Sequence, residues 1–140
     1  MIKELIHDPI LLAIKSTDAT KEDIVIANDL LETLIHHRQT CVGMAANMIG
    51  VHKRIIAFLD ESGRKPTFTV MFNPEIIEKS GLYETEEGCL SLEGVRPTTR
   101  YENIEVEYMD MDWKKQRVKL SGWTAQICQH ELDHLEGKII

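Results

Sequence analysis

Gln129-His130-Glu131-Leu132-Asp133-His134-Leu135-Glu136-Gly137 holds the pattern H-E-x-x-H, and the reading of the whole chain starts from it. On an α-helix, residues four apart stand one above the other on the same face, so His130 and His134 can present two imidazoles to one metal ion. Glu131 lies beside them. A carboxylate next to a metal-bound water, and not itself a ligand, is what a general base in metal-assisted hydrolysis requires. The bland alternative is a surface helix with two solvated histidines.

Ile140 stands six residues after His134, so a third ligand is expected upstream. His7, His36, His37, His52, Cys41, Cys89, Cys128 and many carboxylates are candidates. Cys128, two residues before His130, falls on nearly the opposite side of the helix. Cys89 is the better choice. It sits in Glu87-Gly88-Cys89-Leu90-Ser91, beside a glycine that lets backbone approach a metal closely.

A chain of 140 residues is long enough to bury a core and reads as one domain spanning 1–140. Its 16 Lys and Arg against 23 Asp and Glu give a formal charge of −7, which repels a phosphate backbone and argues against nucleic acid or anionic membrane as the main partner. The start has no long apolar core behind basic residues, and no apolar run reaches membrane-spanning length, so a cytoplasmic location is expected. Three cysteines without a secretion signal suit reduced thiols.

Thr20 is a plausible N-cap for a helix in which Ile24, Ala27, Leu31, Leu34 and Ile35 recur at helical spacing. His36, His37 and Arg38 complement its carboxyl-terminal dipole, a structural rather than ligand role. Residues 41–50 are uncharged and rich in small side chains, which lets backbone come close to another element or to a bound ligand. Val51 to Leu59 and Thr67 to Phe72 read as strands on either side of a turn, the second ended by Asn73-Pro74 because proline cannot donate to a ladder. Ser80-Gly81 reads as a bend, and Glu84 and Glu86 as solvated. Ile104 to Tyr108 and Gln116 to Leu120 alternate apolar and polar residues, the period of half-buried strands. The fold class expected is α+β, a mostly antiparallel β-sheet packed around a C-terminal metal-binding helix.

Three segments together resemble the peptide deformylases, which remove the formyl group from the amino terminus of nascent chains. The family pattern runs glycine, apolar, glycine, apolar, Ala-Ala, any residue, Gln; then Glu-Gly-Cys-Leu-Ser; then Gln-His-Glu-x-Asp-His-Leu. Glu87 to Ser91 and Gln129 to Leu135 match the second and third without change, in the family's order and spacing. The first motif departs twice, with Cys41 at its first glycine and Met48 at its glutamine. Glu93 also takes a place where proline is frequent.

The resemblance implies that Cys89, His130 and His134 hold one divalent ion, Fe(II) first, with Zn(II), Ni(II) and Co(II) also suited to one thiolate and two imidazoles. It implies that Glu131 is the general base, that the oxyanion rests on the metal and the backbone N–H of Leu90, and that the strand through Gly43 and Met44 pairs with substrate backbone. Glu87 is expected to pair with Arg100 and hold the cysteine loop, and Asp133 to orient His130 or His134. The activity implied is hydrolysis of the N-formyl group of formylmethionyl peptides or nascent chains. In the family the missing glutamine donates to the developing oxyanion, and Met48 cannot donate; Asn47 is the adjacent donor. The second reading is therefore a metal-binding paralogue that binds peptide termini with weakened or no catalysis.

Overall fold

The computed structural model describes residues 1–89, 91–138 and 140. Among them a five-stranded antiparallel sheet runs in the order β1 to β5, so each strand lies beside its neighbour in sequence. The strands are β1 (Gly43–Ala45), β2 (Ile55–Asp60), β3 (Thr67–Cys89), β4 (Leu92–Met109) and β5 (Lys115–Ser121). Helix α1 (Pro9–Leu12) is a single turn, capped by the Asp8 carboxylate accepting from the Ile10 N–H. Helix α2 (Ile24–His36) follows a 3₁₀ turn, Lys21–Asp23, in which Thr20 and Asp23 form the capping box. Helix α3 (Gly122–Leu135) carries the histidines, and its Gly122 starts at φ 59°.

Helices lie on both faces of the sheet. On one side α2 contributes Ala27, Leu30 and Leu34, which pack with Ile55, Ala57, Val70 and Phe72. On the other, α3 contributes Ala125, Cys128, Leu132 and Leu135, which pack with Ile56, Phe58, Met71, Ile104, Val106 and Leu120. Neighbouring residues of β2 thus point into opposite cores, and Ile55 to Phe58 read as a continuous apolar run because both faces are covered. Burying a leucine such as Leu132 or Leu135 contributes about 1.5–3 kcal/mol, which fixes the helix against the sheet and fixes which of its faces remains for chemistry. The stripe through Trp123, Ile127, His130, Glu131 and His134 is that face.

The strand expected to end at Asn73-Pro74 does not end there. The two continue inside β3, where the register to β4 shifts between Phe72 and Glu75. Asn73 adopts φ 51° and its side chain both accepts from the Ala19 N–H at 2.7 Å and donates to the Ala19 carbonyl at 3.0 Å. At a bulge the N–H that proline lacks is not required by the ladder. The Ser80-Gly81 bend is likewise inside the strand, Gly81 taking φ 78°. The long pair β3–β4 carries Cys89 at its far end and delivers it to α3.

Candidate metal centre

Glu87 is the residue around which the site is assembled. It faces inward from β3, and its Oε1 accepts from the Arg100 Nη2 at 2.6 Å while Oε2 accepts from the Arg100 Nε at 3.0 Å, a two-pronged pair. Oε1 also accepts from the His130 Nδ1 at 2.8 Å, and Gln126 Nε2 donates to Oε2 at 2.9 Å. Burial pushes Glu87 up, but the His130 and Arg100 hydrogen bonds win and hold it at about 2, so it is a fixed anion. A carboxylate at Nδ1 places the proton there and leaves the Nε2 lone pair of His130 free to bind a cation.

That lone pair points at two others. His134 Nε2 lies 3.1 Å from His130 Nε2, and Cys89 Sγ lies 3.3 Å from His134 Nε2, with the three donor atoms all within 4.8 Å of one another. A tetrahedral ion with bonds of about 2.1 Å to nitrogen and about 2.3 Å to sulfur separates its donors by roughly 3.4–3.6 Å, close to what is found. The imidazoles respond to this crowding in opposite senses. Burial pulls His130 down, but Cys89 and Glu87 outweigh it and push it up to about 10, so a cation takes the Nε2 lone pair by displacing a proton; burial and the charge on His130 pull His134 down to about 3. The donor set fits a divalent cation, which satisfies all three lone pairs at once.

Glu131 stands next to this cluster and touches none of its donors by hydrogen bond. It is 3% exposed, and its Oε1 has no partner among the described residues. Burial pushes its carboxyl up to about 7 against the pull of the His130 charge. Gly43 explains the seat. A Cβ built there would stand 2.7 Å from Glu131 Oε2 and 2.9 Å from Ile127 Cγ2, so any larger residue would force one of these side chains to move. The small-residue stretch 41–50 thus comes close to another element, α3, one of the two uses its composition allowed.

The cleft over these groups encloses about 220 Å³ and is lined by Cys41, Val42, Gly43, Gly88, Trp123 and Ile127 besides Glu87, Cys89, His130 and Glu131. Among the described residues strand β1 pairs only with β2, so its other edge is unpaired there. Cys41 is no ligand: its thiol donates to the Gly43 carbonyl at 2.9 Å, and burial with the nearby Glu131 charge pushes it up to about 12. Cys128 lies in the α3 core. His36, His37 and His52 are not in the donor cluster.

Two expectations need correction or fall outside the described residues. Asp133 orients neither histidine; it accepts from Arg100 Nη1 at 2.6 Å and pairs with Lys138 Nζ at 3.5 Å. Its side chain leaves α3 on the flank facing β4, where the guanidinium already sits, so it steadies Arg100 and reaches His130 only through Arg100 and Glu87. Leu90, whose N–H was assigned to the oxyanion, lies outside the described residues. Met48 is buried with its sulfur turned to the Ala45 N–H at 3.5 Å. Asn47 does not replace it, since its Nδ2 donates to the His134 carbonyl at 2.9 Å and the Leu12 carbonyl at 3.4 Å.

Sequence reasoning missed the Glu87–His130 contact, Gln126 and Trp123. Parity along β3 carried part of the signal, because Glu87 and Cys89 are two apart and share a face; the helical spacing of Trp123, Ile127 and His130 carried the rest.

A model of the polypeptide deformylase family matches residues 5–140. The chain is 51% identical over 140 residues to the peptide deformylase of Clostridium beijerinckii, covering all of both sequences. It is 39% identical over 132 residues to that of Rickettsia akari, covering 89% of this chain and 73% of the relative. Among solved structures, the peptide deformylase of Legionella pneumophila superposes with a TM-score of 0.87 at 33% identity, over 99% of this chain and 83% of that one. The Acinetobacter baumannii peptide deformylase with Met-Ala-Ser bound gives 0.84 at 26% identity, over 98% and 96%.

Proposed function

From the premise that the chain belongs to the polypeptide deformylase family, we propose a mechanism and a site for its activity, the hydrolysis of the N-formyl group from amino-terminal formylmethionine. The observation that carries the assignment of residues is the convergence of Cys89 Sγ, His130 Nε2 and His134 Nε2 beside the buried Glu131. These three hold one divalent ion, which when bound supplies Lewis acidity toward a water molecule and the formyl oxygen. Of the ions this donor set takes, we assign Fe(II), on the family resemblance.

Glu131 takes a proton from the attacking water and returns it to the nitrogen of the departing amine, so that water is consumed and formate and a free amino terminus are released. Its burial beside the three donor atoms, with Oε1 unpartnered among the described residues, suits both halves of that transfer. Glu87, held as an anion by Arg100, keeps His130 in one tautomer throughout. Gly43 and the unpaired edge of β1 offer backbone to an extended peptide, while Val42, Ile127 and Trp123 offer apolar surface to the methionine side chain. The N–H of Leu90 is assigned to the oxyanion. No helix among the described residues is long and apolar enough to cross a membrane, and with the acidic composition this supports a cytoplasmic enzyme working on nascent peptides.

The test is hydrolysis of formyl-Met-Ala-Ser by protein loaded anaerobically with Fe(II), against acetyl-Met-Ala-Ser and the unblocked peptide. Formate release from the first alone, abolished together with metal binding by Cys89→Ala, is the expected result. Full activity with Cys89→Ala would remove the thiolate from the site.

A further inference from the structure

Outside the cleft, one side chain reaches the segment that carries the thiolate. His7 Nδ1 lies 2.9 Å from the carbonyl oxygen of Ser91, a residue 84 positions away in sequence. A carbonyl only accepts, so the proton of this imidazole is on Nδ1. Ser91 is 2% exposed and sits between β3, which ends at Cys89, and β4, which starts at Leu92. The chain reverses there within a few residues, and the β3–β4 register slips between Gly88 and Cys89, so the ladder alone grips this turn weakly.

His7 is itself held from behind. Residues 1–8 have no helix or strand, yet the Lys3 N–H donates to Thr33 Oγ1 at 2.9 Å and the Ile6 N–H donates to the Met48 carbonyl at 2.8 Å. The Ile6 side chain also lies against Gly50. This segment is therefore a strap anchored on α2 and on the turn after β1, and its last side chain is delivered to the turn after Cys89.

We propose that His7 is a positioning residue of the metal centre: its Nδ1–H fixes the carbonyl of Ser91, two residues after Cys89, and through it the direction of the thiolate. The inference rests on Cys89 being a ligand. A hydrogen bond to a backbone carbonyl beside a ligand acts on metal retention and on turnover more than on substrate affinity, since it touches neither the cleft wall nor the peptide.

The test uses full-length protein loaded with Co(II), as wild type, His7→Ala and His7→Asn. Three readings are taken: the thiolate-to-Co(II) charge-transfer absorption, the rate of Co(II) extraction by a chelator, and kcat and KM on formyl-Met-Ala-Ser. With His7→Ala, extraction is about tenfold faster and kcat about tenfold lower, with KM within about twofold. His7→Asn, whose amide N–H can reach the same carbonyl, restores both to within about threefold. The inference is overturned if His7→Ala matches wild type in extraction and kcat, or if His7→Asn is as impaired as His7→Ala, which would mean that the strap and not this bond matters. Absence of the thiolate band from wild type is a different failure, that of the ligand assignment itself, and it takes the inference with it.

Discussion

Gly43→Ala places one methyl group where β1 meets Glu131, the residue proposed as general base. The added Cβ would lie 2.7 Å from Glu131 Oε2, 2.9 Å from Ile127 Cγ2 and 3.1 Å from Glu131 Cγ, so the carboxylate must retreat by about 0.7 Å to regain the 3.4 Å of ordinary contact. Which partner yields is decided by the packing. Met44 and Ala45 are fully buried and paired with Ala57 and Ile56, which locks β1, whereas the Glu131 Oε1 has no hydrogen-bond partner among the described residues to hold it. Misplacing a catalytic group by about 1 Å costs on the order of a hundredfold in rate, so a loss of roughly 30- to 100-fold in kcat is expected, with KM changed by less than about threefold. Overpacking of this kind also costs about 1–3 kcal/mol of stability. The assay is formyl-Met-Ala-Ser hydrolysis at verified full metal occupancy, alongside thermal unfolding. Gly63→Ala is the control, because that glycine sits in an exposed turn with its nearest neighbour at 3.9 Å. A kcat within twofold of wild type, or a change confined to KM, would refute the view that Gly43 exists to seat Glu131.

Glu131→Gln is expected to keep the metal and lose about 10²- to 10⁴-fold in kcat, since a neutral amide cannot accept a proton; metal analysis and steady-state kinetics check both halves. Arg100→Met leaves Glu87 and Asp133 buried or half-buried without their cation and should destabilise the protein by roughly 3–5 kcal/mol, on the order of 10 °C in Tm, which calorimetry measures. Met48→Gln nearly conserves volume at a buried position and adds a donor; kcat should rise tenfold or more, about 1.4 kcal/mol, with KM unchanged. An unchanged kcat in that variant would show that this site needs no such donor.

That His130 and His134 share one face of α3 was legible because helical periodicity is local: four residues fix their relation whatever surrounds them. The assignment of Cys89 needed the motif around it as well, since nothing local tells which distant strand will approach the helix. Asp133 was misplaced for a related reason. Neighbours in sequence suggested neighbours in space, but a side chain adjacent to His134 along the helix points roughly 100° away from it, and a guanidinium on β4 captured it. Asn73-Pro74 carries the residue signals of a chain break, and only the ladder shows that a bulge absorbs them. The Gly43–Glu131 approach lies between those cases, because the composition of residues 41–50 announced a close contact without naming its partner.

Asn47 bonds the carbonyl of His134 across 87 positions of chain, and that bond has a kinetic meaning. Contacts of such separation complete after local structure has formed, since the intervening chain must be ordered before the bond returns anything. The end of α3 is tied down besides by the Ser16 N–H donating to the Leu135 carbonyl at 2.8 Å and by Arg54 pairing with Glu136 at 2.8 Å, and His134 and Leu135 are fully buried, so this end opens only together with the core that holds it. His134 rides on that end. An ion held through His134 is therefore expected to escape at the pace at which that core opens, and its release rate should track amide hydrogen exchange over residues 132–136.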